Sequence, residues 1–88
     1  MAAWVYVLRC ADGTLYTGWT SDLERRLKRH QAGSASRYTA SRRPVELAWS
    51  AQLEGRSEAM SEEARIKRLS RSEKLALIGA LRDGARFS

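Results

Sequence analysis

Residues 4–20 read WVYVLRCADGTLYTGWT, and this stretch decides the fold. Two apolar, aromatic and β-branched runs, 4–10 and 14–20, flank Asp12-Gly13. Asp-Gly between strand-like runs predicts a hairpin, since both turn positions tolerate positive φ. In the first run Trp4, Tyr6 and Leu8 alternate with Val5 and Val7, so both faces are apolar. A strand covered on both faces belongs at the centre of its sheet. Further along, Val45, Leu47 and Trp49 alternate with Glu46, Ala48 and Ser50. That alternation predicts a third, half-exposed strand over 45–52.

Capping chemistry marks the helices. Ser21-Asp22-Leu23-Glu24 and Ser70-Arg71-Ser72-Glu73 both match the capping box, in which Ser and Glu satisfy first-turn amides reciprocally. They predict helices over 22–31 and 71–82. Residues 56–69 contain no Gly or Pro and read as another helix. The Ser-, Gly- and Arg-rich segment 32–44 reads as a loop. The expected class is α/β (α+β), a small three-stranded antiparallel sheet flanked by helices in the order ββαβαα.

Composition bounds what such a fold can do. With 88 residues, the chain is expected to form one domain, 1–88, which excludes barrels and two-domain clefts. A lone cysteine, Cys10, excludes an internal disulfide and a paired-cysteine metal cluster, and points to a reducing, cytoplasmic setting. The longest apolar run, 2–8, is far short of the roughly 20 residues a membrane span needs. It lacks a basic region ahead of it and a cleavage site, so neither a membrane partner nor a signal peptide is expected. Sixteen Lys and Arg against 10 Asp and Glu leave a net charge of +6. Thirteen of the cations are Arg, whose planar fork suits phosphate. A polyanionic partner, nucleic acid foremost, is the natural reading, although a merely soluble, Arg-rich protein would have the same balance.

Polar groups on apolar helix faces come next, because burying them needs a reason. Ala59, Met60, Ala64 and Ile66 define one side of the second long helix, and Glu63 falls near its middle, with Glu58 and Glu62 pointing outward. A carboxylate there must be paired, hydrogen-bonded or bound to metal; a structural salt bridge would serve equally. Leu23 and Leu27 form the stripe of the first helix, beside which Arg26 and His30 are neighbours one turn apart. His30 is the only histidine, which excludes a His-based metal cage. Tyr6 and Tyr16 stand on the two hairpin strands, where aromatics are ordinary.

Taken in order, Trp4-Val5-Tyr6, Tyr16-Thr17-Gly18 and Asp22-Leu23-Glu24-Arg25-Arg26-Leu27-Lys28-Arg29-His30 resemble the GIY-YIG nuclease superfamily. Ser57-Glu58-Ala59-Met60 and Glu63-Ala64-Arg65-Ile66-Lys67 fit the same pattern. The resemblance spans 4–74 and looks closest to small stand-alone bacterial members. Trp4-Val5 departs from Gly-Ile, while the tyrosine stands. The chain also contains no Asn, a residue that some members of the superfamily use beside the metal site.

The resemblance implies metal-dependent hydrolysis of DNA phosphodiesters. Glu63 would be the metal ligand, for Mg²⁺ or Mn²⁺, and one carboxylate suits an ion that keeps several waters in a one-metal mechanism. Arg26 would stabilise charge on the scissile phosphate. Tyr6, with Tyr16 beside it, would deprotonate the attacking water. Because a free tyrosine titrates near 10, neighbouring cations or His30 would have to draw its proton away. Arg37, Tyr38, Thr39, Arg42 and Arg43 interleave an aromatic with cations, as DNA grip requires, and Lys67 is expected to face phosphate or a tyrosinate. Twelve of the 16 cations fall within 25–29, 37–43 and 65–74; the first two segments adjoin the proposed site and read as a DNA track, whereas Arg65, Arg68, Arg71 and Lys74 read as solvated surface.

A single small domain supplies no long base-reading surface. The expected substrate is therefore single-stranded or branched DNA, cut by a monomer in repair, recombination or uptake. The competing reading is a non-catalytic nucleic-acid-binding adaptor that retains the fold. The presence of all five of Tyr6, Tyr16, Arg26, His30 and Glu63 argues against it. A third is a protein-interaction module whose basic face meets an acidic partner.

Overall fold

A computed structural model gives the fold, with residues 2–87 described and side chains described through Gly79. Strands β1 (Ala3–Arg9) and β2 (Leu15–Thr20) are followed by helices α1 (Leu23–Ala32) and α2 (Arg37–Ala40). Strand β3 (Glu46–Leu53) then leads to α3 (Arg56–Lys67) and α4 (Arg71–Phe87). The sheet is antiparallel in the order β2-β1-β3, so the doubly apolar strand is central, as its pattern requires. No described helix is long and apolar enough to cross a membrane.

Each face of β1 feeds its own core. Val5 and Val7 join Trp49, Ile66 and Ile78 beneath α3 and α4. Tyr6 and Leu8 join Cys10 and Val45, against which Tyr16, Leu23 and Leu27 pack. That second face carries the site.

The hairpin forms with a longer loop than a two-residue turn. Cys10 N–H donates to Thr14 O and Gly13 N–H to Cys10 O, both at 2.9 Å. Only Gly13 in this loop takes positive φ, at 85°, as in three-residue hairpins that end on an αL glycine. Asp12 serves differently, accepting from the Thr14 amide at 3.1 Å.

Strand β3 departs from simple alternation. A register shift between Val7 and Leu8 pairs them with Trp49 and Leu47, which leaves Ala48 as an extra residue. A bulge of this kind reverses the facing of everything beyond it. Val45 and Trp49 consequently enter opposite cores, and Leu47 is exposed.

Two further expectations change at the helices. The first long helix is capped by Asp22, not Ser21; its carboxylate accepts from the Arg25 amide at 3.1 Å. The Asp22 amide is taken by Thr20 Oγ1 at 3.1 Å, so no glutamate has to reach back. The Ser70–Glu73 box does form: Ser70 N–H donates to Glu73 Oε1 at 2.9 Å, and Glu73 N–H to Ser70 Oγ at 3.2 Å. Helix α4 runs beyond the expected end at 82, through Gly84.

On α3 the buried stripe is narrower than its composition implies. Ala59 and Ile66, two turns apart, are fully buried, whereas Met60 is 45% exposed and Ala64 is also exposed. Glu62 and Glu63 occupy the turn between Ala59 and Ile66 and flank the stripe. Glu62 is thus half-buried rather than outward, and pairs with Arg65.

Candidate active site

Tyr6 is the centre of the site. It faces α1 from the middle of β1 and pairs with Gly18 on β2. A Cβ at Gly18 would lie 2.6 Å from the Tyr6 hydroxyl and 2.8 Å from its Cζ. The missing side chain is therefore what lets the phenol lie across the neighbouring strand.

His30 reaches the phenol from the last turn of α1. That helix ends on Gly33 at φ 81°, with Gly33 N–H bonded to His30 O and Ser34 N–H to Arg29 O. This is the Schellman closure that a glycine permits. The imidazole is fully buried. Its Nε2 lies 2.8 Å from the Tyr6 hydroxyl, and its Nδ1 lies 2.8 Å from Thr39 Oγ1. Tyr16 meets the same ring edge-on, with centroids 5.4 Å apart.

The segment expected to be a loop contains the one-turn helix α2. Ser36 caps it, accepting from the Thr39 amide at 3.1 Å. The turn drives Thr39 into the interior, where it is fully buried. Thr39 was expected on the DNA-facing surface; its side chain instead belongs to the histidine. The available signal was the Ser-x-x-Thr spacing of an N-cap.

Around this pair the charges are arranged asymmetrically. Burial pushes the Tyr6 phenol up to about 12; the Arg26 guanidinium opposes this, while Tyr16 and Glu63 add to it. Burial, then Arg26 and Arg29, push His30 down to about 4. Near neutrality both rings are uncharged, and one ordinary hydrogen bond of 2.8 Å joins them. Arg26 also lines a hollow of about 190 Å³ with Thr20, Ser21, Asp22, Arg25 and Arg29. Tyr16, Arg26, His30 and Glu63 thus gather around the Tyr6 phenol, although the five come from β1, β2, α1 and α3.

Glu63 stands at the margin of this group, its side chain 22% exposed, with Oε2 3.5 Å from Lys67 Nζ. Lys67 itself is largely exposed and pairs with the carboxylate rather than with a tyrosine. Among the described residues, no three His, Cys, Asp or Glu side chains cluster as a metal cage. A partly exposed single carboxylate fits an ion that keeps its own waters.

The basic segment is more committed than its composition suggests. Tyr38 stacks on Tyr16, with centroids 5.8 Å apart and planes 26° apart. Arg42 Cζ lies 3.9 Å from the Tyr38 ring centroid. The same guanidinium donates to Asp12 Oδ2 and to Tyr38 O, each at 2.9 Å. Arg43 donates to Ala40 O at 2.9 Å and Gln31 O at 3.4 Å, tying α2 to the end of α1. Arg37 is exposed and forms no ion pair among the described residues.

Tyr6, Tyr16, Arg26 and His30 lie on the side of the hairpin that α1 covers, and Glu63 comes to the same phenol from α3; with the small α+β fold, this is the arrangement of a nuclease-superfamily domain. The family model for the GIY-YIG catalytic domain matches residues 2–76, and the chain belongs to the GIY-YIG family. It is 51% identical over 73 residues to a UPF0213 protein of Halobacterium salinarum, covering 83% of this chain and 95% of that one. A UPF0213 protein of Oceanobacillus iheyensis is 51% identical over 75 residues, covering 85% and 87%. Among solved structures, a UPF0213 protein of Bacillus halodurans superposes with a TM-score of 0.60 at 40% identity, over 91% of this chain and 85% of that one. A protein of E. faecalis does so with a TM-score of 0.64 at 39% identity, over 93% and 88%.

Proposed function

We propose that this protein is a metal-dependent DNA endonuclease that hydrolyses phosphodiester bonds in single-stranded or branched DNA. The observation that carries the reading is the 2.8 Å contact between the Tyr6 hydroxyl and His30 Nε2, with Arg26 and Glu63 both acting on the same phenol. Tyr6 rests as a neutral, fully buried phenol, so its oxygen takes a proton from water only once bound DNA brings that water against it, and its own proton then moves to Nε2. Arg26 favours the phenolate and meets the charge that builds on the phosphate. Tyr16 packs against His30 and keeps the imidazole edge turned to Tyr6. Glu63 would hold Mg²⁺ or Mn²⁺, which when bound supplies positive charge to the scissile phosphate.

Grip on DNA falls first to Arg37, which is exposed and unpaired among the described residues. Tyr38 is 37% exposed, and an unpaired base stacks on it by exchanging with the Arg42 guanidinium. Duplex DNA keeps its bases stacked and gains nothing from that exchange, which is the reason for favouring unpaired strands. A monomer in the cytoplasm completes the reading.

The test is incubation of end-labelled single-stranded, flapped and fully duplex DNA with the protein and Mg²⁺ or Mn²⁺. Faster cutting of the single-stranded or flapped form supports the proposal. Cleavage of none of them in either metal removes it. Tight, salt-sensitive binding without cleavage would favour the non-catalytic adaptor.

A further inference from the structure

The hydrogen bonds around His30 continue past the ring. Thr39 Oγ1, 2.8 Å from Nδ1, is itself 2.9 Å from Ser36 Oγ and 3.4 Å from Ser36 O. Four groups therefore form one chain: Tyr6 hydroxyl, imidazole, Thr39 hydroxyl and Ser36. Tyr6, His30 and Thr39 are fully buried and Ser36 is half-buried, so water does not substitute for a lost partner between the imidazole and the Thr39 hydroxyl.

Such a chain has a direction. A neutral imidazole donates from one nitrogen and accepts at the other. The phenol is a stronger acid than an aliphatic alcohol, and an imidazole lone pair accepts better than a phenol oxygen. The Tyr6 O–H is thus the better donor to Nε2, which places the ring proton on Nδ1 and makes Thr39 Oγ1 the acceptor. Thr39 then passes its own hydroxyl hydrogen to Ser36, where both the side-chain oxygen and the carbonyl lie within reach.

We infer that Thr39, braced by Ser36, is a positioning residue that fixes His30 in the Nδ1–H tautomer and so keeps Nε2 free to receive the Tyr6 proton. The inference deepens the proposed nuclease reading and rests on it for its catalytic meaning. The geometry also gives the one-turn helix a purpose. Its cap orients Thr39, and its single turn is enough to carry that hydroxyl inward to the ring. With the opposite tautomer, Nε2–H would donate to the phenol and could not take its proton. The burial that pushes His30 down to about 4 is consistent with a ring that rests neutral and accepts the phenol hydrogen bond.

Because His30 is the only histidine, ¹⁵N NMR reads both of its ring nitrogens without ambiguity. In wild type near neutral pH the proton is expected on Nδ1. Thr39→Val keeps the shape but removes the hydroxyl, leaving a buried Nδ1–H without an acceptor. The equilibrium should move toward Nε2–H, and Thr39→Ser should restore Nδ1–H. A wild-type proton on Nε2 overturns the inference, and this arm needs no variant. So does an unchanged tautomer in Thr39→Val. If Thr39→Val does not fold, Ser36→Ala, which removes the brace without touching the ring, should shift the same equilibrium partway.

Turnover on single-stranded DNA supplies the second readout. Thr39→Val is expected to lose about 10- to 100-fold in kcat with KM unchanged, and Thr39→Ser to recover most of it. A tautomer shift in a protein that cuts no DNA would leave this inference standing and remove the nuclease reading. Cleavage by a wild type whose ring proton sits on Nε2 would do the reverse.

Discussion

Tyr6 and Gly18 face each other across the β1–β2 ladder, and the phenol fills the space that a side chain on the glycine would need, with a Cβ placed 2.6 Å from its hydroxyl. The tyrosine is fully buried, so the ring cannot give way without displacing its neighbours. Gly18→Ala is therefore expected to cost about 1–3 kcal/mol by overpacking and to break the Tyr6–His30 contact. Urea melts measure the first, and the ¹⁵N shift of Nε2 the second.

Removing the phenol oxygen tests that contact from the other side. Tyr6→Phe leaves Nε2 buried without a partner, at a cost of about 1–3 kcal/mol. As the proposed base it should lose about 10²- to 10⁴-fold in turnover. Tyr16→Phe, whose ring keeps its place against His30 and Tyr38, should lose far less. Single-turnover cleavage of one oligonucleotide by both variants decides which tyrosine is the base.

Stability should fall in acid in a way that identifies His30. Its folded pKa is about 4, below the ordinary 6.5, so the unfolded chain binds the proton first. The contribution is complete above pH 6.5 and is lost as pH falls from there through about 4. It amounts to up to about 3 kcal/mol. The urea midpoint of wild type should drop more steeply over that window than that of His30→Gln, in which the carboxylates still titrate. Parallel curves would show that the imidazole is not held neutral.

Arg37 and Arg42, both in the basic segment, should behave differently toward salt. Arg37→Ala removes a free cation and should lower the slope of log K for single-stranded DNA against log salt by about one unit or slightly less. Arg42→Ala removes a cation already engaged by Asp12 and Tyr38. Its main effect should be a loss of about 1 kcal/mol or less in stability, together with an opened Tyr38 face. Filter binding between low and moderate salt separates the two.

Much of this fold was legible because its signals are local. The double apolar pattern of 4–10 implies a central strand, and Ser70-Arg71-Ser72-Glu73 implies the cap that forms. Strand β3 departs from its pattern because period 2 survives only until a bulge, and nothing in residues 45–52 marks Ala48 as the extra residue. Helix α2 leaves no periodic mark because one turn has too few residues to show a period. Thr39 accordingly looked like part of a surface run. Tyr6 and the four residues around it share a family pattern in the sequence, but their convergence depends on two features of tertiary structure. One is the approach of the phenol to Gly18, and the other is the inward turn at Thr39.

The central claim, that Glu63 and the Tyr6 cluster hydrolyse DNA with a bound metal, is tested most directly by one comparison. Wild type and Glu63→Ala, purified identically and checked for equal folding, are incubated with labelled single-stranded DNA and Mn²⁺. The account predicts cleavage by wild type, about 10²-fold or greater loss in Glu63→Ala, and DNA binding retained by both. Equal cleavage by the two proteins, or none by wild type, would contradict it.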